Sequence, residues 1–433
     1  MVAEESLDSL TDDLGPDEEP YFVSGDTIMT YEKSGLRDIF KVNNQEKQSQ
    51  PIVASWPPVL NNAISEYTMS DFRKDITSKV TNFLRPNFDQ IVLLVGAGGS
   101  IVPAKMVDPR RTDDDPSSLF GLPMSKILEA IENSLPKFPK RYFSLEKMID
   151  LSFHDAKSVS TDLESLLSQF EKAEEFMNAT NSKKYTRTLD EIRSVIKDKT
   201  QYDFNESYMK HLALINFFNK RVAEGNKLSI VTSNYDTVLE EAAAKGNYTI
   251  FDGFTFGDKP MFDPKMFDWN LVKDVPNLET KELIYDRKVI NLLKIHGSLT
   301  WTKGEDGEVR KVSKHNNKSP LLIFPSNNKY EQSYRAPYSD LFYKFRELLN
   351  RPRTLLVTVG FSFGDTHIFE MVNDAIRHND GLSMLFTDYS IDWTKSKNLA
   401  ALRKRAEEGY RVAFLKASLN DDLPGYLELE AND

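Results

Sequence analysis

The sequence predicts an α/β protein built on a doubly wound parallel sheet with a large helical insertion subdomain. Three observations carry that prediction. Short, continuous apolar runs recur along the chain, several are separated by helix-length segments, and polar or glycine-rich motifs follow four of them directly. Strands buried on both faces read as continuous apolar runs rather than alternating ones, which parallel sheets require.

The elements follow in order. Residues 1–20 carry eight acids and no base, with Pro16 and Pro20 among them, and read as a flexible acidic tail. Residues 21–90 form a mixed segment with helical spacing around Ser65–Leu84. The first buried strand is Ile91–Val95 (IVLLV). Residues 117–224 form the insertion, where DLESLLSQFEKAEEFM, TLDEIRSVIKDK and MKHLALINFFNKRVAE place apolar residues at helical spacing between charges. Further strands are expected at Lys227–Val231, Asn291–Ile295, Leu321–Phe324, Thr354–Thr358, Ser383–Phe386 and Val412–Leu415.

Composition narrows the chemistry. The 433 residues suffice for a large core, and 40% hydrophobic with 28% charged residues is ordinary for a globular chain. No run reaches the length of a membrane span, and the acidic N-terminus lacks a secretory pattern, so a cytoplasmic location is expected. The absence of cysteine excludes disulfides, thiolate-bound zinc and a thiol nucleophile. Six scattered histidines show no metal-binding spacing. A net charge of −11 argues against direct nucleic-acid binding, which needs clustered Lys and Arg.

The motifs fall on one edge. GAGGS (Gly96–Ser100), TSNYD (Thr232–Asp236), HGS (His296–Ser298) and VGFSFGD (Val359–Asp365) each begin where a predicted strand ends. Ligands of open parallel sheets bind along that carboxyl edge. Taken singly, each has a plain structural explanation. GAGGS serves equally well as a tight turn or as a phosphate cradle free of Cβ atoms, and it matches neither GxGxxG nor the Walker pattern. Asn234 and Asp236 are common turn formers, and a lone histidine such as His296 is more often a satisfied core residue. Four such coincidences on one edge are harder to accept than one.

In that order, GAGxS, [ST]xNxD, HG and GxS form the motif set of sirtuins. The segments TSNYDTVLEEA, KIHGSLTW, VTVGFSFGDTHI, DGFTFGDKPMFDPKMFDWN and YSDLFYKFRELL resemble the prokaryotic sirtuin-like NADases of antiphage defence. The resemblance spans roughly Val92 to Asp388 and implies a Rossmann-like NAD-binding catalytic domain over residues 91–420. One departure stands out: the family's GxPxW-like segment is matched by Gly121–Pro123 only after an insertion containing Arg110 and Arg111. Those two arginines could reach the NAD phosphates, although a solvated loop explains them as well.

The resemblance implies NAD as substrate, no zinc, and cleavage of the nicotinamide–ribose bond. Asn234 would orient water or ribose hydroxyls, and His296 would serve as general base or ribose partner. Gly96, Ala97, Gly98 and Ser100 would line the diphosphate. Ser233, Asp236, Gly360, Ser362 and Asp365 would contact hydroxyls or brace the loops. Sirtuin deacylases carry a four-cysteine zinc module that this chain lacks, so water is the expected acceptor, with nicotinamide and ADP-ribose as products; cyclisation is the alternative outcome. By the same analogy the chain is expected to form a homo-oligomer and to be gated by a HerA-type hexameric ATPase, or alternatively a short Argonaute. The competing readings are a non-catalytic module binding NAD or ADP-ribose, a zinc-free deacylase, and a structural scaffold that shares only the fold.

Overall fold

The computed structural model describes residues 18–25, 27–34, 37–47, 67–107, 121–122, 124–152, 163–273, 284–304, 306–317, 320–322, 336–394 and 396–429. The N-terminal part begins with an antiparallel meander, β1 (Glu18–Ser24), β2 (Thr27–Ser34), β3 (Arg37–Val42) and β4 (Gln45–Glu46). This departs from the mixed, helical reading of residues 21–90. The turn between β3 and β4 is Asn43–Asn44, both at positive φ (50° and 60°), as a tight two-residue hairpin loop requires. Residues 18–20 belong to β1 rather than to a tail, because the Glu18 carboxylate is buried and paired with Lys41 at 3.1 Å. The rest of the acidic tail, Arg110, Arg111 and Pro123 lie outside the described residues.

Helix α1 (Met69–Leu84) matches the expected helical stretch. Thr68 and Asp71 form a reciprocal capping box that satisfies its first amides. Its Phe72, Ile76, Val80 and Phe83 lie on one buried stripe, each contributing roughly 1.5–3 kcal/mol relative to exposure. Strand β5 (Gln90–Val95) and the single turn α2 (Ala97–Ser100) follow. The insertion then supplies α3 (Met124–Ser134), α4 (Leu145–Ser152), α5 (Leu163–Glu175) and α6 (Ala179–Thr200). The last segment expected in the insertion, α7 (His211–Asn219), instead packs into the main-sheet core through Leu214, Ile215 and Phe218, and after it come β6 (Leu228–Thr232), α8 (Val238–Lys245), β7 (Thr249–Phe251) and β8 (Val289–Lys294). The chain closes with α9 (Tyr338–Leu349), β9 (Thr354–Val359), α10 (Thr366–His378), β10 (Leu382–Asp388), α11 (Lys397–Glu407) and β11 (Val412–Lys416).

One eleven-stranded sheet runs in the order β4-β3-β2-β1-β11-β10-β9-β5-β6-β8-β7. The stretch from β11 to β7 is parallel throughout, and β1 joins β11 antiparallel. Side chains alternate between two cores. Ile91, Leu93, Val95, Leu355 and Val357 meet α1, α7 and α8 on one face. Val92, Leu94, Leu356 and Phe386 meet α9, α10 and α11 on the other. This is the doubly wound α/β architecture, extended by an antiparallel edge.

One expected strand does not join this sheet. Leu321–Leu322 pairs antiparallel with Gly297–Ser298, outside the main sheet; residues 323 and 324 are not described. A short apolar run specifies burial but not the strand that it pairs with. The insertion helices α3–α6 have a core of their own, from Ile127 and Met148 to Phe170 and Leu189, which also takes in Tyr235, Leu299 and Leu322. The insertion is therefore packed directly onto the TSNYD and HGS segments. Among the described residues no helix is long and apolar enough to cross a membrane.

Candidate active site

Strands β5 and β9 are neighbours, and the connections leave them in opposite directions, to β6 on one side and β10 on the other. This is the topological switch point, where a crevice opens beyond the carboxyl ends of the strands. Both glycine-rich turns meet there. Gly96 N donates to Val359 O and Gly98 N to Gly360 O, each at 3.0 Å. Glycine is required: a Cβ on Gly96 would lie 2.6 Å from Gly360 O, and one on Gly360 2.3 Å from Gly98 C. Gly360 also has φ +58°, the left-handed region. The amides of Gly96, Gly98 and Gly99 are all bonded to protein carbonyls, so the loop is first a backbone-to-backbone joint.

Asn234 ties the first turn to the second strand. Its amide nitrogen donates to Gly96 O at 2.9 Å and to Ser100 Oγ at 3.0 Å. Ser100 Oγ in turn donates to Asp236 Oδ2 at 2.9 Å. Below them Thr232 Oγ1 donates to Val95 O and accepts from Asn234 N. Gly96, Ser100, Asn234 and Asp236, widely separated in sequence, thus form one buried hydrogen-bonded unit. Asp236 also caps α8 through its Oδ1, which accepts from Val238 N at 3.0 Å. The turn-forming role weighed for Asp236 and its site role are therefore both present in one side chain.

His296 and Asp365 form the second unit. His296 follows β8 and Asp365 follows β9, and the two strands are separated by β6 and β5. Nevertheless His296 Nε2 lies 3.3 Å from Asp365 Oδ2, both side chains being buried. The pair has the separation of an ion pair without the alignment of a hydrogen bond, and Nε2 has no hydrogen-bond partner. Because hydrogen-bond criteria include angle, we regard the contact as electrostatic proximity. Asp365 is held by its own role as N-cap of α10, where Oδ1 accepts from His367 N at 2.9 Å and Ile368 N at 3.3 Å. Of the remaining predicted residues, Ala97, Ser233 and Asn234 line a cavity with Asp236, whereas Ser362 is exposed on its turn.

Several residues at the site carry no sequence motif. Tyr202, just beyond α6, donates its hydroxyl to Asp236 Oδ2 at 2.9 Å. Lys294, buried at the end of β8, donates to the Asp236 carbonyl and pairs with Glu240 at 3.0 Å, which fixes the TSNYD backbone from below. His211 on α7 is fully buried near Asp236, and burial pushes its imidazole down to about 4. Asp388 ends β10 on the same sheet edge, and burial pushes its carboxyl up to about 6. Asn420 bonds Gly99 O and Ile101 O, bracing the first turn from the C-terminal segment. Asp388, as an acid ending an apolar run, and Lys294, within KIHGSLTW, left a signal in the sequence; the others are brought in by tertiary packing. Among the described residues no three His, Asp or Glu side chains converge as a metal site.

The cavity at Asn234 is small, about 80 Å³, and is bounded by Gly121, Leu122, Ile127, Thr200 and Tyr202 from the insertion side. Gly121, at φ +73°, abuts the Ser100 carbonyl and links the GLP segment to the first turn. A larger cavity of about 480 Å³ lies at the amino ends of β5 and β9, lined by Arg85, Phe217, Lys220 and Arg221. It contains none of the motif residues. Its cations sit at the C-terminal ends of α1 and α7, where positive charge offsets the helix dipoles, so helix capping accounts for them.

Residues 228–415 match the model of a SIR2-like domain. The match covers the TSNYD, HGS and VGFSFGD motifs and supports a sirtuin-like family. It begins after Gly96–Ser100, which the hydrogen bonds from Asn234 join to the same site. No curated protein matches the chain.

Proposed function

We propose that this protein is an NAD glycohydrolase, which cleaves the nicotinamide–ribose bond and transfers the ribosyl carbon to water. The observation that carries this reading is the buried His296 Nε2, without a hydrogen-bond partner and facing a carboxylate, at the sheet edge that also holds the Asn234–Ser100–Asp236 unit. Buried polar atoms are nearly always satisfied, so an unsatisfied nitrogen held beside an acid is suited to receive a proton.

The chemistry balances with these groups. The C1′–N bond breaks with its electron pair going to the nicotinamide ring, leaving oxocarbenium character on the ribose. Water adds to C1′ and yields its proton to His296 Nε2, with the Asp365 carboxylate 3.3 Å away to stabilise the resulting imidazolium. Asn234 and Asp236 provide the polar contacts that orient the water or the ribose hydroxyls. The SIR2-like match over residues 228–415 supports NAD as the substrate class. The absence of cysteine removes a thiolate zinc module of the deacylase type, which favours water over an acyl-lysine acceptor.

The further elements of the reading are membership of an antiphage NADase branch, homo-oligomerisation and control by a HerA-type ATPase, with a short Argonaute as the alternative partner. They rest on the sequence resemblance. The test is NAD turnover by the purified chain, alone and with any HerA-type ATPase that proves to be encoded beside it. Nicotinamide release that is abolished by Asn234→Ala and by His296→Ala supports the enzyme. Tight NAD or ADP-ribose binding without turnover in either condition would favour the non-catalytic binding module instead.

A further inference from the structure

The cavity beside Asn234 is too small for the ligand class proposed above: about 80 Å³, against roughly 300–1,000 Å³ for small-molecule sites. Thr200 and Tyr202 line it, and both belong to the segment by which the insertion returns to the sheet. Tyr202 donates its hydroxyl to Asp236 Oδ2, the oxygen that also accepts from Ser100. A carboxylate oxygen has two lone-pair positions, so those two donors saturate it. A ligand hydroxyl can bond Oδ2 only if Tyr202 or Ser100 lets go.

The segment is fastened at several points. Lys314 Nζ bonds Asp203 Oδ1 and Glu241 Oε1, each at 2.6 Å, and thereby clamps the segment to α8. Phe204 N donates to Glu241 Oε2 at 2.8 Å. Gln201 meets His315 at 3.1 Å, and Lys197 Nζ reaches Asn317 O at 2.6 Å. Most of these bonds are only part-buried, while Tyr202 and Phe204 also pack against Val102, Met209 and Val238. Asp203 is 79% exposed, and its ion pair is of the kind that contributes little on its own.

We propose that the Thr200–Asp203 segment is a built-in latch on the site, with the Tyr202 hydroxyl occupying the position on Asp236 that a ligand hydroxyl takes when the segment swings away. The insertion is thus the regulatory element. Its core includes Tyr235, the neighbour of Asp236, so a partner that displaces α6 acts on the site directly. The identity of the ligand rests on the NAD reading; the latch itself does not.

The chain's lack of cysteine makes the test clean. Ile127→Cys places a single thiol in the wall of the cavity, at a side chain 2% exposed. Its alkylation rate is measured in this background alone, then with Tyr202→Phe and separately with Asp203→Ala. Each second change removes one fastening and leaves the ring or the exposed backbone in place. Loss of a hydrogen bond to a carboxylate is expected to raise the alkylation rate roughly tenfold or more for Tyr202→Phe, and less for Asp203→Ala. In the cysteine-free chain, ADP-ribose affinity measured by calorimetry should rise by a comparable factor in Tyr202→Phe. Unchanged alkylation in both variants overturns the latch. Weaker ADP-ribose binding in Tyr202→Phe also overturns it, because the hydroxyl then holds the ligand rather than excluding it. Faster alkylation with no binding of NAD or ADP-ribose in any variant supports the latch and refutes the NAD reading.

Discussion

Asp365 performs two tasks that a single substitution can separate. It caps α10 through Oδ1 and faces His296 Nε2 through Oδ2 at 3.3 Å. Asparagine is as good an N-cap as aspartate, whereas alanine forfeits about 1 kcal/mol. With an unfolding entropy of about 2.1 cal/mol/K per residue over 433 residues, 1 kcal/mol moves the melting temperature by only about 1 °C. The electrostatic term is larger. A carboxylate 3.3 Å from a newly formed imidazolium interacts by up to about 5 kcal/mol at an effective dielectric of 20. If about 3 kcal/mol of that survives in the transition state, turnover falls by about two orders of magnitude. Asp365→Asn should therefore melt with the parent while releasing nicotinamide about 100-fold more slowly, and Asp365→Ala should turn over as slowly and also melt about 1 °C lower. The assay pairs calorimetric melting with product quantification. Full turnover in Asp365→Asn would show that the His296–Asp365 approach is structural and would refute the proposed proton path.

Three other outcomes follow from the same geometry. Asn234→Ala removes bonds to Gly96 O and Ser100 Oγ, which should cost about 1–3 kcal/mol by chemical denaturation and lower turnover at least about 100-fold. Gly360→Ala places a Cβ 2.3 Å from Gly98 C at a positive φ, so a loss of about 2–5 kcal/mol in stability is expected, against about 1–2 kcal/mol for Gly409→Ala, which shares the positive φ but meets nothing within 4 Å. Two buried groups give opposite pH terms. His211, lowered to about 4, takes up a proton in the unfolded chain first, so its contribution rises with pH between 4 and 6.5; Asp388, raised to about 6, is protonated first in the folded chain, so its contribution falls between 3.8 and 6. Each is worth about 3 kcal/mol, so relative to the parent His211→Gln should lose stability as pH rises through this window and Asp388→Asn should gain it; parallel curves for all three proteins would refute both assignments.

The sheet and its edge were legible because parallel strands impose a local rule. A strand covered on both faces is mostly apolar along its length, and IVLLV, KLSIV, NLLKI, TLLVT, SMLF and VAFL all entered the main sheet. The antiparallel meander escaped that rule. Its strands mix buried and polar positions, as in Thr27–Ser34, where Ile28, Met29 and Thr30 are buried and the last two residues are exposed, and the pairing depends on tight turns such as Asn43–Asn44 rather than on hydrophobic density. LLIF failed for the opposite reason: its composition suits any buried strand, and its partner, Gly297–Ser298, was fixed by the course of the chain after His296.

The site divides along the same line. Residues that must be glycine, or that end a strand with a polar group, are marked in sequence because backbone geometry admits few substitutes, as Gly96, Gly360 and Asn234 show. Residues that shape the space around them are not so marked. Tyr202 and His211 are ordinary components of a helix end and a helix start, and tertiary packing, including that of Tyr202 against Val102, Met209 and Val238, brings the first of them to Asp236. On the proposed function, the reacting groups sit at strand ends, where the backbone constrains them, while access is set by the insertion. That division makes the insertion the part free to vary with the trigger, since Tyr202 can be withdrawn from Asp236 without disturbing the Gly98–Gly360 joint or the His296–Asp365 pair.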